Sequence, residues 1–396
     1  MKITGIIAEY NPFHNGHAYQ ITKARELGAD CVVAVCGGLF SQRGELSVCT
    51  KMTKARAAIA GGADLVLELP LCYTLSPAPD FARGGVEILN ALGNVDFLAF
   101  GCEEQQPERL FELANFLKTL DNDDGIKADL KNGLSLSSAR QKALERLEKP
   151  DYSQAISKPN NILALEYISA LKKTNSNIRP MAIRRVGAEH NSGEVYGNFC
   201  SATKLREILS EDFKEAQKFM PKECFDLLLK EQSIGRAPLE FKEIEKAVLF
   251  ALRRLSAEEI GLTSGVSEGM ENLIFKAIRR FGSFEEIVSF CSGKRYTFAR
   301  IRRILMCSAL GITREMSRLS PRYIRVLAFN QTGQKALKEA KNISSLPLVT
   351  KAAEIPDISP SAKEIFDIEC RACDLVSLAF KTAGGCGLEM TENFFG

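Results

Sequence analysis

The residues best suited to chemistry lie near the N-terminus, where His14 and His17 flank Gly16 in a chain with three histidines. They follow a short apolar run, Ile3 to Ala8, which the turn-favouring pair Asn11-Pro12 ends. A helix that begins near His17 would present free amide groups and a positive dipole end to an anion. The pattern therefore predicts a strand-to-helix junction that binds nucleotide phosphates.

His14 and His17 are candidate catalytic residues, because imidazoles at such a junction add directed hydrogen-bond donors. Nucleotidyl transfer depends mainly on positioning the nucleophile and stabilising charge on phosphate oxygens. Two other interpretations stay open: inert surface or core histidines, and half of a metal site. Zinc would need further ligands at set spacings, and none accompanies this pair, so we predict no metal site.

A second candidate phosphate site lies at residues 199–206, Phe-Cys-Ser-Ala-Thr-Lys-Leu-Arg. Ser201 and Thr203 supply hydroxyls and Lys204 supplies a cation where a helix begins. A serine there is commonly only a helix cap, but hydroxyls with a lysine form an anion site. We predict that Ser201 and Thr203 bind ATP and that Lys204 takes part in catalysis.

The first half alternates short apolar runs with helical segments, which is typical of an α/β fold with a doubly wound parallel sheet. Ligands of such sheets bind beyond the carboxyl ends of the strands. This rule predicts that Gly101, at the end of one strand, contacts the nucleotide, although it could be only a turn glycine. Arg184 and Arg185 end a later strand, where guanidinium groups suit phosphate oxygens.

From about residue 215 the pattern becomes helical, so we predict a catalytic domain over 1–215 and an all-α C-terminal domain over 216–396. Residues at about 105–155 are polar and charged and are predicted to be a helical insertion. Residues 276–325 contain twelve Lys/Arg against three Glu, a local charge of +9 in a chain of net charge +3. A solvated face is one explanation, but arginines interleaved with aromatic residues suit RNA. The predicted RNA contacts are Lys294, Arg295, Arg300, Arg302 and Arg303.

Composition limits the protein class. With 396 residues, 45% hydrophobic and 26% charged, the chain is expected to be a soluble globular protein. It shows no apolar stretch long enough for a membrane span and no signal segment, so we expect a cytoplasmic enzyme with no obligate protein partner. Its twelve cysteines are scattered and expected to be reduced. Cys370 and Cys373 are interpreted as structural, with a redox or metal role as the alternative.

The string Glu-Tyr-Asn-Pro-Phe-His-Asn-Gly-His at 9–17 resembles the tRNA(Met) cytidine acetate ligase family, within the His-x-Gly-His nucleotidyltransferases. The later strings Gln-Arg-Gly-Glu at 42–45 and Ser201 to Arg206 extend the resemblance, whereas Lys54 stands where many relatives are expected to have arginine. The resemblance implies a Rossmann-like domain that activates acetate with ATP, with Mg²⁺ expected, and acetylates the wobble cytidine of elongator tRNA(Met) to N-acetylcytidine. It implies ATP contacts along one continuous stretch and at a later asparagine: Ile7, Ala8, Glu9, Tyr10, Asn11, Pro12, Phe13, His14, Asn15, Gly16, His17, Ala18, Tyr19, Gln20 and Asn161.

Two rival functions use the same motifs. An adenylyltransferase that acts on a small metabolite phosphate would need the first half but leaves the arginine-rich helical half unexplained. A non-catalytic RNA-binding protein would need the second half, and the intact His14, His17, Ser201, Thr203 and Lys204 argue against it.

Overall fold

The computed structural model describes residues 1–104, 106, 108–120, 123–131, 134, 136–185, 195–293 and 295–391. Within them, a seven-stranded sheet runs through the molecule in the order β5-β4-β1-β2-β3-β6-β7. The strands are β1 (Ile3–Ala8), β2 (Cys31–Gly37), β3 (Leu65–Leu69), β4 (Phe97–Cys102), β5 (Arg179–Arg184), β6 (Ile324–Phe329) and β7 (Leu348–Val349). All neighbouring pairs are parallel except β3 with β6.

Helices cover the sheet. In the first half they are α1 (Asn15–Glu26), α2 (Lys51–Ala60), α3 (Leu71–Thr74), α4 (Ala78–Leu92), α5 (Glu108–Thr119), α6 (Asp124–Lys131), α7 (Leu136–Arg146), α8 (Pro150–Ala155), α9 (Pro159–Lys173) and α10 (Ala202–Glu211). In the second half they are α11 (Lys222–Ser233), α12 (Phe241–Arg253), α13 (Ala257–Gly261), α14 (Met270–Arg280), α15 (Phe284–Cys291), α16 (Phe298–Leu310), α17 (Arg314–Arg318), α18 (Gln331–Ala340), α19 (Pro360–Ser377) and α20 (Leu388–Thr391). Two 3-10 segments lie at Glu215–Phe219 and Ala352–Asp357.

The central strands are apolar along their whole length because both faces of the sheet are covered. Every residue of β2 and β3 is buried, including Val33, Val35 and Leu67. Such continuous runs are the pattern of parallel strands between two helical layers. The predicted α/β fold class is therefore confirmed.

The strand order reverses at β1, the first strand of the chain, because β2 and β4 lie on opposite sides of it. β2 and β3 continue from β1 in one direction, and β4 and β5 continue in the other. In open α/β sheets the ligand-binding crevice lies at such a switch point, beyond the carboxyl ends of the strands. The His14 to His17 segment lies there, at the end of β1 and the start of α1.

The expectation of an all-α second half is corrected in one respect, because β6 and β7 extend the sheet of the first half. β6 pairs antiparallel with β3, with Phe329 opposite Leu65. A short apolar run of six residues cannot be distinguished from a buried helical segment by periodicity alone, and Arg325 interrupts this one. The division at residue 215 and the insertion at 105–155 stay predictions.

No helix in the described part of the chain is both long and apolar enough to cross a membrane. The twelve cysteines are all free thiols, as expected, and eight of them are buried. Cys370 and Cys373 lie one turn apart on α19 and are partly buried.

Candidate active site at the switch point of the sheet

The two histidines are fixed by the backbone at the start of α1. His14 is the N-cap residue, and its Nδ1 accepts a hydrogen bond from the Gly16 amide at 3.0 Å. The His14 amide donates to Nδ1 of His17 at 3.2 Å, which completes a reciprocal capping box. The imidazole rings stack with centroids 3.7 Å apart. Because both Nδ1 atoms accept, a neutral ring carries its proton on Nε2.

Burial keeps these rings neutral. Burial, followed by the charge of Arg185, lowers the pKa of His14 to about 3. The pKa of His17 is also well below its ordinary value, because of burial, then His14 and Arg185. Neutral imidazoles with protonated Nε2 atoms are hydrogen-bond donors that need no further reorganisation when an anion arrives.

Aromatic side chains fix His17 from the other side. The Tyr10 ring meets His17 edge-on at 4.8 Å, and Phe13 lies 5.4 Å from it. Tyr10 adopts a left-handed backbone conformation with φ +47°, which is costly for a bulky residue and is found mostly at functional sites. The Tyr10 hydroxyl and the Asn11 Nδ2 are buried without a hydrogen-bond partner among the described residues.

The predicted stretch 7–20 runs from the end of β1 into the first turns of α1. Ile7 and Pro12 are buried, Ala8 and Glu9 are partly exposed at the end of β1, and residues 15–20 are the partly exposed first turns of α1. Asn15 donates to the carbonyls of Asn198 (2.8 Å) and Lys218 (3.2 Å), which ties α1 to the segments before and after α10. Tyr19 contacts Phe199 edge-on at 6.3 Å. The two sequence motifs, distant along the chain, therefore face each other.

In the second motif, all three predicted groups have local hydrogen-bond or ion-pair partners. The Ser201 hydroxyl caps α10 by accepting from the Lys204 amide at 3.1 Å, as the capping alternative foresaw. Lys204 Nζ pairs with Glu207 at 3.1 Å. Thr203 is exposed, and its hydroxyl accepts from Arg206 at 3.3 Å. A role of Ser201, Thr203 and Lys204 in phosphate binding stays a prediction.

Arg206 connects the two motifs, and the sequence analysis did not assign it a role. Its guanidinium donates to the Asn11 carbonyl at 3.2 Å and to Glu45 Oε2 at 2.7 Å. The signal was present, since Arg206 and Glu45 both lie in strings shared with the resembled family. What the sequence could not provide was the pairing of residues 161 positions apart.

Lys54 holds the backbone together at the bottom of the crevice. It is almost fully buried and donates to the carbonyls of Glu9 (3.1 Å), Gly37 (2.7 Å) and Gly38, and to the Ser47 hydroxyl (3.2 Å). One cation thus ties together the carboxyl ends of β1 and β2. Lysine suffices for this position because its acceptors are separate carbonyl oxygens, not a planar carboxylate or phosphate that would favour arginine.

The β4 and β5 side of the crevice contains Gly101 and Arg185. A Cβ atom at Gly101 would lie 3.2 Å from Cγ of Arg185, so the glycine lets this exposed arginine lie over the end of β4. Asn161 is fully buried: its Oδ1 accepts from the Glu103 amide at 2.8 Å and its Nδ2 donates to Ala155 at 3.1 Å. It orders the loop after β4, and its contact with ATP stays a prediction, as do those of Arg184 and Arg185.

The predicted RNA residues differ in their availability. Arg295 is exposed, and Lys294 lies outside the described residues. Arg300 donates to the Gly265 carbonyl at 3.1 Å, and Arg302 pairs with Glu285 at 2.8 Å. Arg303 donates to the Gln42 carbonyl at 3.2 Å and is partly buried against the crevice loop. Their contact with RNA stays a prediction, and Arg303 also has a structural partner beside the active site.

The structure brings three buried carboxylates together in the described residues, those of Glu68, Glu369 and Glu389. Lys51 pairs with all three, and Arg325 pairs with Glu68 and Glu389. Cations of the protein therefore occupy the positions that a metal would need, and this cluster is an ionic link between β3 and the C-terminal helices.

Comparisons with known proteins agree with this geometry. A family model described as HIGH Nucleotidyl Transferase matches residues 1–386. The tRNA(Met) cytidine acetate ligase of Acetivibrio thermocellus is 37% identical over 411 residues and 99% of each chain, and that of Thermoanaerobacter sp. is 35% identical over 98% of each.

Solved structures show the same likeness. The crystal structure of Thermotoga maritima TmcAL bound with alpha-thio ATP has a TM-score of 0.92 at 32% identity, over 100% of this chain and 99% of that one. Its apo form has a TM-score of 0.93 at the same identity and coverage. The chain therefore belongs to the tRNA(Met) cytidine acetate ligase family of ATP-dependent enzymes.

Proposed function

We propose that this protein activates acetate with ATP to acetyl-adenylate and transfers the acetyl group to the wobble cytidine of elongator tRNA(Met). The observation that carries the proposal is the pair of neutral histidines at the start of α1, held so that each Nε2 is a donor. Relatives similar over their full length supply the substrates through their names. Because the substrate is a tRNA, we place the activity in the cytoplasm.

The first step is an in-line displacement at phosphorus. An acetate oxygen attacks the α-phosphate of ATP, and the bond to the β-phosphate oxygen breaks to release pyrophosphate. His14 and His17 would donate to phosphate oxygens, with support from the positive end of α1 and from Arg185. Lys204 and Thr203 would reach the leaving pyrophosphate once Lys204 releases Glu207. Mg²⁺ would be held mainly by phosphate oxygens and water, which requires no dedicated carboxylate cluster.

The second step requires a tRNA against the helical half. Arg295 and Phe298 are both exposed at the start of α16, and Phe298 keeps 60% of its surface accessible. A cation beside an exposed ring suits the phosphates and unstacked bases of an RNA loop. This supports RNA contact near the residues predicted from the sequence.

The decisive experiment separates the two steps. Acetate-dependent exchange of pyrophosphate into ATP should report adenylate formation, and mass spectrometry of elongator tRNA(Met) incubated with ATP and labelled acetate should report one added acetyl group. Exchange that is indifferent to acetate but stimulated by a phosphorylated metabolite would instead identify a small-molecule adenylyltransferase. Binding of tRNA without any exchange would identify a non-catalytic RNA-binding protein.

A further inference from the structure

The transfer step of the proposed function leaves one proton to be placed. The cytidine amino nitrogen attacks the acetyl carbonyl carbon, a C–N bond forms, and the bond from that carbon to the adenylate oxygen breaks with its electron pair on AMP. The amino nitrogen must then lose a proton. Neither His14 nor His17 is suited to accept it, because each Nδ1 already accepts a backbone amide and each neutral ring carries its proton on Nε2.

Most carboxylates around the crevice are already engaged. Glu45 pairs with Arg206 at 2.7 Å, and Glu207 pairs with Lys204 at 3.1 Å. Glu103 accepts from the Asn160 side chain and from the Asn161 amide, and so holds its own loop together. Each of these carboxylates therefore already has a partner that it would have to release before it could act on a substrate.

Glu9 differs from them in its surroundings. It is partly exposed, directly after β1, and its Oε1 accepts from the Gln42 amide at 2.5 Å. Within the described residues no cation lies within ion-pair distance of its carboxylate, because Lys54 binds the Glu9 carbonyl instead. Anchoring one oxygen fixes the carboxylate while leaving Oε2 as an acceptor.

We propose that Glu9 is the catalytic base of the transfer step, in which Oε2 takes the proton from the attacking cytidine amino group. This inference rests on the proposed function and goes beyond it, since it assigns the residue that receives the proton. The proton leaves Glu9 to solvent when the acetylated RNA and AMP depart.

The electrostatics suit this role. Burial raises the pKa of Glu9, while the Gln42 amide and the charge of Lys54 act in the opposite direction. A carboxyl whose pKa lies closer to the working pH is a better proton acceptor than one at its ordinary value. Binding of the adenylate would add negative charge nearby and favour proton uptake further.

The loop that anchors Glu9 is connected to the basic helix α16. Arg303 of α16 donates to the Gln42 carbonyl, while the Gln42 amide donates to Glu9. Gly44 has φ +79°, and a Cβ atom there would lie 3.0 Å from the Arg303 nitrogen, so the loop packs directly on the helix backbone. Arg303 is thus a positioning residue, and the proposed base lies on the side of the crevice that faces the helical half.

The test uses Glu9→Gln, which keeps the acceptor for the Gln42 amide and removes the base. We expect acetyl transfer from preformed acetyl-adenylate to tRNA to slow about 100-fold or more. Any loss of acetate-dependent pyrophosphate exchange should be at least about tenfold smaller than this loss of transfer. The wild-type transfer rate should rise with pH through the Glu9 pKa, and this limb should be absent from Glu9→Gln. Glu9→Asp, which retains a carboxylate, should recover part of the transfer rate.

A matched control is Glu45→Gln on the same loop, which removes a carboxylate that is already paired with Arg206. It should slow both half-reactions together. Glu9→Gln that transfers at the wild-type rate, or that loses exchange and transfer equally, would overturn the assignment. If the wild-type protein shows no acetate-dependent exchange, the proposed function is wrong. If the wild-type protein shows exchange and Glu9→Gln transfers the acetyl group at the normal rate, only the role of Glu9 is wrong.

Discussion

Each histidine of the motif uses its two ring nitrogens for two different tasks. Nδ1 satisfies a backbone amide at the start of α1, and Nε2 is left as a donor toward the crevice. The short spacing follows from this division, because a cap residue and the third helical residue are the two positions that a capping box joins. The same side chains therefore stabilise the helix start and act on the substrate. Only a substitution that keeps one role and removes the other can separate the two.

His14→Asn separates these tasks. The asparagine oxygen can still accept the Gly16 amide as an N-cap, so the free energy of unfolding should change by no more than about 0.5 kcal/mol. The Nε2 donor is lost, and removing one preorganised donor to a reacting anion typically costs about 100-fold to 1,000-fold in rate. Pyrophosphate exchange and thermal unfolding would be measured together; His14→Ala, which also loses the cap, should unfold earlier than His14→Asn. Normal exchange by His14→Asn would exclude His14 from phosphate stabilisation.

Strands and helices near the site were largely predictable, because their signals are local. The runs at 3–8, 31–36, 65–69 and 97–100 are continuous apolar segments, and His14 and Ser201 are caps of the helices that follow. The connections between these segments were not predictable. Lys54, Gln42 and Arg206 act through partners far along the chain, and no spacing rule pairs a lysine of one helix with carbonyls at two strand ends.

Arg206→Lys tests the link between the two motifs. Lysine keeps the charge but cannot contact the Asn11 carbonyl, Glu45 and Thr203 at once from a planar fork. We expect pyrophosphate exchange to fall about tenfold to 100-fold, since misplacing a positioned group by about 1 Å costs that much. The control is Arg83→Lys, which alters a similarly exposed arginine that pairs with Glu87 and donates to Ser317 away from the crevice. Equal exchange rates for both variants would show that the tie through Arg206 does not position the reactants.

Across the entire chain, a buried ionic cluster joins the two halves. Lys51 and Glu68 come from the N-terminal half of the chain, whereas Arg325, Glu369 and Glu389 come from the C-terminal half. Three carboxylates face two cations in a site at most 4% exposed. Burial raises the pKa of Glu369, Lys51 lowers it, and the charges of Glu68 and Glu389 raise it again. The result is a pKa of about 7. Lys51 and Arg325 lower the pKa of Glu68 against its burial.

This cluster predicts how stability depends on pH. A carboxyl whose pKa is about 7 when folded and about 4.5 when unfolded binds its extra proton only in the folded state, so its contribution is complete below pH 4.5 and is lost as the pH rises to about 7. Glu369→Gln cannot ionise. Its unfolding free energy relative to wild type should therefore increase between pH 4.5 and 7, by at most about 1.4 kcal/mol per pH unit. Denaturant titrations across this range would measure the difference. Glu68→Gln should instead be less stable than wild type at neutral pH by about 3–5 kcal/mol, since it leaves Lys51 and Arg325 with too few partners. A difference for Glu369→Gln that stays constant with pH would mean that this carboxyl ionises alike in the folded and unfolded chain, and that the cluster holds no proton.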